Sequence, residues 1–179
     1  MPYAKRGPLT LSEYARRALG ADALRMLRRV ELECQTREEA EELADVIAGL
    51  LPDPVQGRLG LIELLLNAIE HGNLEIGRTL KCQLLRELRF EAEIEARMQQ
   101  DQYRDRRVRV RVELMYPFIE IEIRDDGRGF AWRNALAAGF TSDDTPNGRG
   151  IALASRACFP TLEYLDPGNV AIVKLAWPR

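Results

Sequence analysis

Two stretches of strict alternation, Val108 to Met115 (VRVRVELM) and Phe118 to Arg124 (FIEIEIR), constrain the fold of this chain more than any other feature in it. Successive side chains of a strand point to opposite faces, so each stretch, once extended, separates its aliphatic residues from its charged ones. The joint between them, Tyr116-Pro117, has room only for a tight turn, and the pattern is that of a hairpin. A sheet built on such a hairpin offers one face to a core and one to water.

The remaining segments supply the cover. Val30 to Cys34 alternates and reads as a short strand, and Thr36 with Glu39 three residues on is an N-cap signature for a helix to about Leu51. Pro52 and Pro54 end that helix, and a very apolar second helix runs from about Val55 to Gly72. A short helix to about Cys158 and strands near Leu162 to Leu165 and Val170 to Trp177 complete the pattern. Helices early and strands late predict an α+β two-layer sandwich rather than a βαβ parallel sheet. Residues 1–29 read as an N-terminal helical extension, with Leu11, Tyr14, Ala18, Ala21, Leu24 and Leu27 at roughly helical spacing. Residues 30–179 form the main domain. From about Arg78 to Arg107 dense mixed charge carries Leu80, Leu84, Leu88 and then Ile94 and Met98 at four-residue steps, the mark of a helical insertion. A solvated arm and a partner or dimer surface are both open readings of it.

The 28 acidic residues nearly balance the 26 lysines and arginines, so no electrostatic footprint for nucleic acid or a membrane surface is present. The three cysteines are odd in number and in no zinc-holding spacing, and are expected to be reduced thiols. Met1 to Gly20 contains five charged residues and no apolar block, so no leader peptide is expected and the cytoplasm is the expected location.

Three segments can carry chemistry. In the second helix, Glu63, Asn67, Glu70 and His71 fall on one arc of about 100° at 100° per residue, with every intervening aliphatic elsewhere. That stripe is either the wet face of an amphipathic helix or a site, and an Asn and a His are unusual on a merely solvated face. Next, the strand ending at Arg124 runs into Asp125-Asp126-Gly127-Arg128-Gly129-Phe130, where glycines admit backbone close to a ligand and a carboxylate at the strand end can accept an exocyclic amine. An Asp-Gly turn alone gives the same letters. Finally, Asn147-Gly148-Arg149-Gly150 precedes the helical pattern Ile151-Ala152-Leu153-Ala154, which brings free amides to phosphate or is simply a loop end with an N-cap. No Gly-Lys pair exists for a Walker loop, no third glycine for a dinucleotide fingerprint, and His71 is the sole histidine.

In order and spacing, Glu63-x-x-x-Asn67, Asp125-x-Gly127-x-Gly129 and Gly148-x-Gly150-x-x-Leu153 resemble the N, G1 and G2 boxes of the histidine-kinase-like (Bergerat-fold) ATPase superfamily. That superfamily contains gyrase, heat-shock chaperones, histidine kinases and a class of DNA-repair proteins. His71-Gly72 and Gly148-Arg149-Gly150 look most like anti-sigma-factor serine kinases, which phosphorylate a small antagonist in bacterial partner switching. The resemblance covers roughly Val30 to Trp177 and implies a two-layer sandwich on a mixed, mostly antiparallel sheet, with ATP and Mg²⁺ as ligands. Asn67 would then hold the metal, Glu63 would be the general base, Asp125 would bind adenine, and Gly127, Gly129 and Phe130 would flank the base. Asn147, Gly148, Arg149 and Gly150 would face the phosphates, and the polar loop from Trp132 to Asn147 would be the ATP lid. His71 would lie near the phosphates or metal, and a buried, satisfied histidine is the other reading of it. Where these families often place a Thr in the last hairpin, this chain offers only Asn169.

Two further functions fit the same boxes: a non-catalytic module that sequesters a sigma factor or similar partner, and a histidine-kinase catalytic domain whose acceptor lies on another chain, since no histidine precedes His71.

Overall fold

The computed structural model describes residues 28–133 and 150–176. The expected N-terminal helix lies outside the described residues, as do Asn147, Gly148, Arg149 and most of the expected lid.

Five strands form one sheet: β1 (Arg29–Cys34), β2 (Val108–Met115), β3 (Phe118–Arg124), β4 (Glu163–Leu165) and β5 (Val170–Ala176), in the order β1-β2-β3-β5-β4. Every pairing among them is antiparallel, where the resemblance implied a mixed sheet. The cause is topological. The β2–β3 and β4–β5 connections are hairpins, and no described strand is followed by a crossover to a parallel neighbour.

The alternation of the hairpin is realised residue by residue. Val108, Val110, Val112 and Leu114 of β2 and Ile119, Ile121 and Ile123 of β3 are buried. Fully burying such a side chain contributes about 1.5–3 kcal/mol, an upper estimate against a compact unfolded chain. On the opposite face Arg111 stands across from Glu122 and Glu120 across from Lys174, both as ion pairs. Such pairs, with the basic side chains 35–50% exposed and the acids 13–20%, contribute about 1 kcal/mol each, so their main effect is to keep that face polar.

The buried face is covered by α1 (Arg37–Ala48) and α2 (Pro54–Asn67). Thr36 caps α1 with both bonds of a capping box: its hydroxyl accepts from the Glu39 N–H, and the Glu39 carboxylate accepts from the Thr36 N–H. The helix stops at Ala48, short of Leu51. Pro54 opens α2 at its first turn, where its missing N–H costs nothing, and Asp53 caps it by accepting from the Gln56 N–H. At Ala68–Asn73 the helix widens to π geometry, with Leu74 N–H bonded to the Ile69 carbonyl at 2.8 Å. After the later short helix α5 (Gly150–Leu153) the chain widens in the same way at Ala154–Cys158.

Residues 78–107 do not form a solvated arm. Two helices, α3 (Arg78–Arg86) and α4 (Phe90–Met98), put Leu84, Phe90 and Ile94 into the common core, and Tyr103 follows them. The four-residue leucine stripe breaks at Leu88, which is 93% exposed with φ +54, because the chain turns between the two helices and Phe90 takes the inward place. Among the described residues no helix is long and apolar enough to cross a membrane.

Candidate functional site

The polar stripe survives only in part. Glu63 and Asn67 share a face one turn apart, and His71 continues it, but Glu70 leaves it. The angular arc assumed α geometry to the end of the helix. In the π turn each residue rotates through less than 100°, so Glu70, three residues past Asn67, swings off the arc, while His71, four past, comes back beneath Asn67. Glu70 is fully buried instead, paired with Lys81 of α3 and lying 3.5 Å from Nε of Arg37 at the start of α1. The Phe90 ring lies beneath both cations, 5.2 Å from Lys81 and 5.8 Å from Arg37.

A cavity of about 410 Å³ opens beside the end of α2. Asn67 and His71 line it from the helix, and Asp125, Gly129 and Phe130 line it from the turn after β3. Its floor is one row of the sheet, Ile123 of β3, Ala171 of β5 and Tyr164 of β4, directly opposite one another. Glycine sets how closely the two walls approach. A Cβ on Gly72 would lie 2.4 Å from the Asp125 carboxyl carbon, and one on Gly127 would lie 2.4 Å from the Gly72 carbonyl oxygen. Gly127 therefore stands behind Asp125 rather than in the cavity. Gly129 has the positive φ (+76) that the turn demands. Gly150, at the start of α5, is close to both Glu63 and Asn67: a Cβ there would lie 2.3 Å from Glu63 Oε2 and 3.4 Å from Asn67 Nδ2.

The two adjacent acids at the end of β3 have opposite fates. Burial pushes the Asp125 carboxyl up to about 6, against the Gly127 N–H that it accepts at 2.8 Å. Burial pushes Asp126 the same way, but the Arg107 N–H and the Arg109 guanidinium at 2.7 Å outweigh it and hold Asp126 below the usual carboxylate range. Asn169 is spoken for. Its Nδ2 donates to the Asp125 carbonyl at 3.0 Å, and its own carbonyl accepts from the Asp125 N–H.

His71 Nδ1 meets the Ile76 carbonyl, which can only accept, so Nδ1 carries the proton and Nε2 is left as an acceptor. The residue is exposed as a whole, yet partial desolvation of the ring lowers its pKa despite that carbonyl, which favours the neutral form. Asn67 Nδ2 is buried with no hydrogen-bond partner among the described residues, a cost that native proteins rarely leave unexplained.

Several lining residues were invisible to sequence reasoning. Glu75 sits at the rim in a left-handed backbone conformation (φ +51), ion-paired with Arg106 at 3.0 Å and Arg128 at 3.4 Å. Arg97 of α4 donates to the Leu74 and Glu75 carbonyls. The charged segment thus braces the rim. Ile123 and Tyr164 had a legible signal, the inward phase of their strands. Among the described residues no cluster of three or more His, Cys, Asp or Glu converges as a metal site. No family model matches the chain, and no curated protein matches it.

Proposed function

We propose that this chain is an ATP-binding domain of the Bergerat type acting as a serine protein kinase in bacterial partner switching, with γ-phosphate passing from ATP to a small antagonist protein. The observation that carries this reading is the meeting of Asn67, His71, Asp125, Gly129 and Phe130 around one cavity, with Glu63 and Gly150 adjoining it. Residues from three separate stretches converge there. A volume of about 410 Å³ lies within the range of about 300–1,000 Å³ usual for small-molecule pockets. Asp125, largely desolvated, suits the exocyclic amine of adenine, and the apolar floor suits a flat ring.

The orphaned amide of Asn67 supports a ligand at that end. The two ends of an amide exchange by a simple flip, and its oxygen then suits a hard cation. Asn67 would hold Mg²⁺ together with phosphate oxygens, since the described residues alone offer no cluster of acidic, His or Cys ligands. Bound there, the ion supplies positive charge beside the phosphates. In the transfer, the serine Oγ forms a bond to the γ-phosphorus as the bond to the bridging oxygen breaks, and that electron pair leaves on ADP. The serine proton passes to Glu63, one helical turn from Asn67 on the same face.

Calorimetry with Mg-ATP tests the binding: Asn67→Ala abolishes it in a folded protein, and equal affinity in the variant refutes the assignment. Transfer is tested with γ-labelled ATP and candidate antagonists from the same genome. Glu63→Gln keeps ATP affinity and loses about 10²–10⁴-fold in rate, the usual contribution of a positioned base. A wild type that binds ATP and labels no antagonist favours the sequestering module instead.

A further inference from the structure

The floor of the cavity holds a polar group to which the boxes assign no role. Tyr164 is 8% exposed and lines the cavity beside Ala171, whose single methyl leaves open space between Tyr164 and Ile123. Its ring is fixed by neighbours: Phe130 packs edge-on at 5.1 Å, and Trp132 lies tilted at 6.4 Å. Trp132 and Arg133 both donate to Asp166, two residues beyond Tyr164, which ties the turn after β3 to the β4–β5 hairpin. The Tyr164 hydroxyl is not among the buried side-chain atoms left without a partner, so it keeps access to the cavity that the residue lines. Among the described residues, no protein group hydrogen-bonds this one.

The hydroxyl also shares the field of Asp125. Burial, and then the Asp125 charge, raise the Tyr164 pKa, so the phenol stays protonated and remains a donor. The cavity therefore pairs an acceptor, the Asp125 carboxylate, with a donor, the Tyr164 hydroxyl. Adenine presents the complementary pair, an amine donor with ring-nitrogen acceptors on either side of it. Asn169, which this chain offers where related families often place a Thr, already spends its amide on the Asp125 carbonyl.

We propose that Tyr164 is a specificity residue of this cavity, its hydroxyl donating to a ring nitrogen of the base whose exocyclic amine Asp125 accepts. The inference rests on the ATP-binding reading and deepens it. Tyr164→Phe keeps the ring and its packing and deletes only the donor.

Calorimetry on the full chain, with ATP and its 1-deaza, 3-deaza and 7-deaza analogues, reads the effect. Tyr164→Phe weakens ATP by about 3- to 10-fold, the worth of one neutral hydrogen bond. One deaza analogue binds wild type more weakly by the same factor and shows no further loss in the variant. Equal ATP affinity in a variant that melts like wild type overturns the proposal while leaving the ATP reading intact. So does an equal loss for ATP and all three analogues. The wild-type series serves as an independent check should the variant fold poorly, because a wild type indifferent to every ring nitrogen also overturns the proposal. A wild type that binds no adenine nucleotide removes both readings together.

Discussion

Asp125→Asn should make the ligand-free protein more stable at neutral pH while weakening its hold on nucleotide. The Asp125 carboxyl is raised from 3.8 to about 6, chiefly by burial. A rise of about two units at about 1.4 kcal/mol each means that the folded protein carries this charge at a cost of about 3 kcal/mol above pH 6. Asparagine removes the charge but keeps an oxygen for the Gly127 N–H. It forfeits the attraction of Arg106 and also sheds the repulsion of Asp126, and a net gain of about 1–2 kcal/mol is expected. The sign follows from linkage. Between about pH 4 and pH 6 the native state binds the Asp125 proton more tightly than the unfolded chain, so wild-type stability from this group falls as pH rises through that window and is flat above it. The advantage of the variant is thus full near pH 7.5 and nearly gone near pH 4. Urea unfolding at the two pH values measures it, and calorimetry should show an ATP affinity lowered by about 1–3 kcal/mol, the cost of mispairing a buried polar group. A variant less stable than wild type at neutral pH, or a difference of the same size at both pH values, would refute the desolvation account of Asp125.

Two more substitutions probe the framework. A Cβ at Gly150 would meet the flexible end of Glu63, so Gly150→Ala should leave the melting temperature within a few degrees, because the carboxylate can move aside. Its displacement by about 1 Å should cost about 10²-fold in phosphate transfer, read by single-turnover kinetics, and unchanged transfer means that Glu63 is not positioned by this contact. Glu70→Ala strands Lys81, whose side chain is only 22% exposed, and leaves Arg37 with Glu91 alone, and should cost about 2–4 kcal/mol in urea unfolding. A loss below about 1 kcal/mol would show that Glu70 contributes little to anchoring residues 78–107.

What could be read from the sequence was what depends on neighbours in the chain. The β2–β3 hairpin follows from a period of two, and the capping box of α1 from Thr36 and Glu39 three residues apart. The glycines around Asp125 announced a close approach, though their partner, the end of α2, is set by tertiary packing. Four-residue spacing put Leu88 in one row with Leu80 and Leu84, and nothing local marks Leu88 as the residue that turns the corner with φ +54. The loss of Glu70 from the stripe is subtler. No residue type signals a π turn, and one turn of changed pitch is enough to move a carboxylate from a site face into an ion pair with Lys81. The bracing of the rim by Arg97 and Arg106 was hidden for a different reason: their partners are the Leu74, Asn73 and Glu75 carbonyls, and a backbone acceptor leaves no trace in composition.

The costs that the fold carries are unevenly distributed, and their location bears on function. Among the described residues the buried side-chain atoms without a hydrogen-bond partner are Asn67 Nδ2, Glu70 Oε1 and Asn73 Nδ2, all at the far end of α2 and in its π turn. The left-handed Glu75 follows directly, and the desolvated Asp125 packs against Gly72 of the same turn. Each feature is unfavourable in isolation; Asn73 Nδ2 keeps no partner, as Asn67 Nδ2 does not, but every residue other than Asn67 has a compensating contact. Glu70 Oε1 has the Arg37 guanidinium at 3.5 Å, Asn73 still accepts from the Asp126 N–H, and Glu75 is held by Arg97 and Arg106. Asn67 Nδ2 has no such partner, and Asn67 lines the cavity. Strain that is braced on the core side and left open on the cavity side is what a binding site requires of its scaffold, because the missing partner can then be supplied by a ligand.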